Sequence, residues 1–224
     1  MNYFNILKKP NTTLLNDLFT YGLLCFTSFF TLINPIGTMP IFMTMTSQLD
    51  AEHRNKTAKK AVIIALISIL FFAFSGQVMF QFFGISVNSF KIVGGVIFFI
   101  MGLDMLQARL GRVKVKDSEI KSYVNDISIT PLAIPMICGP GAITNAIVLM
   151  EQAGSIEKKV ILVFVIFLVL AVTYLVLFSS SKIIKALGET GNNVLMRLMG
   201  LIVMVIAVEF FFSGLKPIVL DFYK

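Results

Sequence analysis

The sequence predicts an all-α polytopic membrane protein of six transmembrane helices. They form two inverted three-helix repeats, with broken first and fourth helices. Three observations predict it. Of 224 residues, 57% are hydrophobic and only 14% are charged, against about 25% charged in ordinary soluble domains. Six segments approach or exceed the length of about 20 mainly apolar residues that a spanning helix needs. Two of those segments carry proline and glycine where an apolar helix would otherwise run on, in NPIGTMP (34–40) and CGPGAIT (138–144).

The first segment covers residues 18–33, meets NPIGTMP and resumes to residue 45. The second covers 61–80 and the third 90–106. The fourth covers 129–150 and is broken by CGPG. The fifth, 160–178, has no charged residue, and the sixth covers 194–214. All are apolar almost all round, where a surface helix of a soluble protein shows a stripe. The runs are long and do not alternate, which argues against a β-barrel. A helical bundle is then the architecture that satisfies the backbone in lipid. The N-terminus is weakly basic, but no small-residue cleavage site follows it. The first helix is expected to stay as an uncleaved anchor.

The chain reads as one membrane domain, 1–224. A first three-helix repeat spans 14–106, and a second spans 127–217. Between them, residues 107–126 (QARLGRVKVKDSEIKSYVND) form a cytoplasmic connecting loop. Lys91-Ile92-Val93-Gly94 in the third helix matches Arg197-Leu198-Met199-Gly200 in the sixth, and Pro35 matches Pro140 at nearly the same offset. Three spans per repeat force the second repeat to enter from the opposite side, so matched sites lie at mirrored depths. The loops after helices one, three and five, with their flanks, hold twelve Lys and Arg, and the other side holds seven. The richer side is expected to be cytoplasmic, which leaves both termini outside.

The two breaks are the candidate site. Proline removes an amide donor and frees a carbonyl, and in lipid a free carbonyl must face protein or a watery cavity. In the first break the candidates are Asn34, Pro35, Gly37, Thr38 and Pro40; in the second, Gly139, Pro140, Gly141 and Thr144. Helix N-termini at such a break suit a carboxylate, and C-terminal carbonyls suit an ammonium group. The plainer alternative is a pair of proline kinks that only help helices pack. Two breaks at matched places favour the paired site.

Four long stretches carry a family likeness in order: FFTLINPIGTMPIF, FFGISVNSFKIVGGVIFFIMGLDML, TPLAIPMICGPGAI and RLMGLIVMVIAVEFFFSGLK. On these the chain resembles the MarC family of bacterial integral membrane proteins, nearly throughout from Leu18 to Pro217. The resemblance implies six helices in inverted three-helix repeats within the bacterial inner membrane. It also implies transport or exchange of a small neutral solute, an amino acid such as glycine or alanine. The sequence leaves the coupling mode open, with a proton or sodium ion as the candidate partner. It places Asn34, Pro35, Gly37 and Pro40 on one family motif, and Pro135, Gly139, Pro140, Gly141 and Thr144 on another.

Other classes fare worse. The net charge of +7 is scattered between apolar runs, so it points to cytoplasmic loops and anionic lipid rather than nucleic acid. Cys25 and Cys138 lie in apolar segments and His53 is the only histidine, which leaves no metal-ligand spacing. No nucleophile elbow, acid–base cluster or nucleotide-binding motif is present, so no enzyme and no cofactor is expected. Asp104 and Glu209 are the acidic residues deepest in apolar runs, with interfacial positions as the favoured reading. Gln77 and Gln81 share a helix face one turn apart. A structural or stress-related membrane protein without transport is the alternative function, since a bundle fold does not fix activity.

Overall fold

The computed structural model describes residues 10–107 and 120–222. Most of the basic connecting loop, both extreme termini and the charges they carry lie outside the described residues. Five helices are long and apolar enough to cross a membrane, and a bent pair supplies a sixth crossing if it is one span. The chain is thus an all-α polytopic membrane protein.

Helix α1 (Pro10–Ile33) ends where Asn34 precedes Pro35, and α2 (Pro35–Met45) begins at once. Proline suits the first position of a helix, where its missing N–H would be unpaired anyway. Asp50 caps α3 (Ala51–Phe83) by accepting from the His53 amide at 2.7 Å. That amide holds the Asp50 carboxyl below its ordinary range. Arg54 closes the preceding turn by donating to the carbonyls of Thr46 and Leu49. Helix α3 stops at Gly84, whose φ of +64° is a left-handed conformation that favours glycine. Ser86 then caps α4 (Val87–Leu106).

The fourth segment departs from the expected helix. Residues 129–150 do not form one α-helix with a single break at CGPG. A short α5 (Ile120–Ile127) runs into an irregular stretch, Ser128–Ile137, in which Thr130 and Ile134 are extended. Each precedes a proline, Pro131 or Pro135, whose ring pushes the residue before it out of the helical region. The peptide bonds to both prolines are cis. Regular helix resumes only as α6 (Pro140–Gln152), bent by 56° from the preceding stretch. The break is therefore broader than the glycines alone indicated.

Helix α7 (Ile156–Phe222) carries the fifth and sixth spans, Ile156–Ser180 and Thr190–Asp221, joined through a kink at Gly188 with φ +68°. The helices present large apolar side chains outward, among them Phe71, Phe74, Phe164 and Leu201. Small residues face inward, as with Ala58, Ala61, Ala65, Ala73 and Gly76 on α3. In lipid the drive to pack is close van der Waals contact, which small residues permit. Gly76 lets α3 close on α6, since a Cβ there would lie 2.5 Å from the Ile147 side chain.

Candidate functional site

Asn34 forms the first break. It is the one non-glycine residue with positive φ among the described residues, at φ 46° and ψ 67°. Asparagine tolerates this region better than most because its short polar side chain bonds locally. Here the Asn34 Oδ1 accepts from the Gly37 amide at 3.1 Å and caps α2. Pro35 brings no amide to the Thr31 carbonyl. Thr38 turns its hydroxyl back to the carbonyls of Ile33 (3.3 Å) and Asn34 (3.1 Å). The break is thus internally dressed by two polar side chains.

The second break has no such side chain. Gly139 takes the N-cap place of α6 without a side-chain cap. What it supplies is space: a Cβ on Gly139 would stand 2.5 Å from the Phe98 ring of α4 and equally close to the Pro135 carbonyl. A Cβ on Gly141 would stand 2.9 Å from the Leu32 side chain of α1. Gly94 of α4 gives the same close room to the Pro140 ring.

Phe98 connects the two breaks. Its ring packs over Gly139, and the same residue lines a cavity of about 40 Å³ at the first break. Asn34, Gly37 and Thr38 lie on that cavity, with Met101 of α4, Met136 of the irregular stretch, and Val203 and Ile206 of α7. The volume corresponds to about three water positions. Three pairs of lining residues stand 105 positions apart: Thr31 and Met136, Phe98 and Val203, Met101 and Ile206. The same separation relates the N-caps Asn34 and Gly139, and the helix-opening Pro35 and Pro140.

The nine candidates are thus distributed. Asn34, Gly37 and Thr38 come together on the cavity. Pro35 and Pro40 are buried in α2 and are not on its lining. Gly139 and Gly141 face Phe98 and Leu32, two residues on the cavity's lining, while Pro140 packs on α4. Thr144 is buried in α6 away from the lining, and its hydroxyl has no hydrogen-bond partner. Sequence reasoning missed Phe98, Met136 and Val203, which sit inside long apolar runs with no local mark. A comparison at a fixed offset of 105, set by Pro35 and Pro140, was the signal that pairs Phe98 with Val203.

Other polar residues lie elsewhere. Asp104 is half-buried and Glu209 is exposed, and neither lines the cavity. Gln77 donates to Glu151 at 2.9 Å and shares a separate cleft with Gln81 near the turn after α3. Among the described residues no group of three His, Cys, Asp or Glu is placed to hold a metal ion.

A family model described as MarC family integral membrane protein matches residues 19–219. A UPF0056 membrane protein of Methanocaldococcus jannaschii is 38% identical over 88% of this chain and 96% of its own. A UPF0056 membrane protein of Pyrococcus horikoshii is 38% identical over 87% of this chain and 94% of its own. The UPF0056 membrane protein YvbG of Bacillus subtilis is 35% identical over 89% and 96%. No solved structure matches.

Proposed function

The chain belongs to the MarC family of integral membrane proteins, and on that premise we propose that it is a secondary transporter or exchanger of small neutral amino acids, glycine- or alanine-like. The observation that carries this reading is the cavity at the first break. Asn34 and Thr38 are the polar residues of its first-break wall, apolar side chains form the rest, and three pairs of its lining residues stand at a fixed offset.

That offset supports two inverted repeats. Contacts repeat under it as well as residues. Gly102 and Gly200 approach each other closely, and so do Gly95 and Ala207. Gly95 lies 105 positions from Gly200, and Gly102 lies 105 positions from Ala207. One contact is therefore carried onto the other with its partners exchanged, as a two-fold axis does. The register differs by one residue from the match of Gly94 with Gly200 and agrees with Pro35 and Pro140. A site near such an axis in the membrane plane suits alternating access, in which one repeat rocks against the other.

The site itself suits a small zwitterion. The positive dipole ends of α2 and α6 favour a carboxylate; at α2 the Gly37 amide is already held by the Asn34 Oδ1, so the attraction there comes from the helix end as a whole. Pro35 leaves the Thr31 carbonyl available to an ammonium group. Large side chains are excluded by Phe98, Met101 and Met136. A coupling proton or sodium ion is part of the proposal, as are a bacterial inner-membrane location and termini on the outer side. The test is counterflow in proteoliposomes with labelled glycine, alanine and serine.

A further inference from the structure

A second feature lies on the outer surface of the helices, away from the residues of both breaks. The first turns of α3 carry Lys56, Lys59 and Lys60 beside a cleft of about 600 Å³, which continues over Ile63 and Ile64 to Asn125 of α5. A second cleft of about 440 Å³ shares Lys59 and Ile63 with it. This one runs between α3 and the first span of α7, past Leu66 on one wall and Tyr174, Leu170 and Phe167 on the other. From Lys59 to Leu66 it descends about 10 Å along the helix.

The charges are unequal in their commitments. Lys56 pairs with Glu52 at 2.7 Å, and Lys60 donates to Asn125. Asp50 is engaged with His53 at 2.9 Å. Lys59 is exposed and has neither an ion pair nor a hydrogen bond among the described residues. It stands where the cationic cleft opens into the apolar one. A ligand that fits both must be an anion at one end and a hydrocarbon chain at the other.

We propose that this composite groove is a binding site for an anionic phospholipid, its phosphate on Lys59 with Lys56 and Lys60 alongside, and an acyl chain laid between α3 and α7 against Leu66 and Phe167. Free phosphate satisfies only the first half of the groove. A zwitterionic lipid satisfies only the second, since its own cation opposes the lysines. The site does not depend on the transport reading.

The chain contains no tryptophan, so Phe167→Trp places a single tryptophan in the groove, excited selectively over the tyrosines. The full chain is reconstituted in vesicles containing brominated phosphatidylglycerol or brominated phosphatidylcholine, and quenching gives relative occupancy. Phosphatidylglycerol is expected to be preferred by about fivefold. Adding Lys59→Gln brings the ratio close to one, whereas Lys59→Arg keeps it. A reporter outside the groove, Phe99→Trp on α4, shows no such preference, and inorganic phosphate in the buffer does not displace the lipid. Equal quenching by the two lipids overturns the proposal. So does a preference that survives Lys59→Gln, one equally strong at Phe99→Trp, or one abolished by inorganic phosphate.

Discussion

Gly102 of α4 and Gly200 of α7 meet backbone to backbone: a Cβ built on either would lie 2.8 Å from the other's carbonyl oxygen. Neither obstacle is the tip of a flexible side chain, so the helices must part to admit even a methyl group. Gly102→Ala is expected to destabilise the protein by about 1–3 kcal/mol, the usual range for overpacking. Gly84→Ala provides a contrast, because open space surrounds Gly84 and only its positive φ resists substitution. Thermal unfolding in detergent measures both. An unchanged midpoint for Gly102→Ala contradicts the packing account.

Asn34 combines a left-handed backbone with a cap on the Gly37 amide. Asn34→Gly keeps the backbone and loses the cap, at about 1 kcal/mol or less. Asn34→Ala loses both, and the strained φ adds about 1–2 kcal/mol. The expected order of thermal stability is therefore Asn, Gly, Ala. Uptake is expected to fall in both variants, because the amide oxygen beside the cavity is gone. Full uptake by Asn34→Gly removes that oxygen from the site.

Phe98 and Val203, 105 positions apart, both line the cavity but differ in bulk. The ring fills the space over Gly139, and the shorter valine on the Asn34 side leaves the cavity open. Val203→Phe is expected to fill the cavity and lower glycine uptake about tenfold or more with normal membrane insertion. Phe98→Leu is expected to widen the solute range toward larger neutral amino acids. Competition of labelled glycine uptake by unlabelled leucine reads this directly. An unaltered competition profile contradicts a size-setting role.

Thr144 is 2% exposed and its hydroxyl is unpaired. An orphaned buried polar group costs about 1–3 kcal/mol, so Thr144→Val is expected to raise the unfolding midpoint while keeping the shape of the side chain. If the hydroxyl serves the solute, uptake falls in the same variant. A lower midpoint shows that the hydroxyl has a partner in the folded protein.

Much of this fold was legible because its strongest signals are local. Asn34-Pro35 announces a helix end and a helix start in two residues. The long apolar runs around α3, α4 and both spans of α7 leave little alternative in lipid. The second break was only half legible. Gly139 and Pro140 marked its end, but Pro131 and Pro135 act as a pair, four residues apart, and interrupt regular α-helix at Thr130 and Ile134. Phe98 was illegible for a different reason. Its role depends on Gly139 and Asn34 lying nearby in space, and nothing in the run around residue 98 distinguishes it from Phe99, which faces outward.

The cavity at the first break is proposed to receive a small neutral amino acid. Counterflow tests it most directly: proteoliposomes loaded with unlabelled glycine are diluted into labelled glycine, with Val203→Phe protein prepared in parallel. A saturable, transient accumulation of label is expected with the parent protein, and about tenfold less or lower with Val203→Phe. Glycine, alanine and serine all failing to exchange through correctly inserted parent protein, or equal exchange by both proteins, would contradict it.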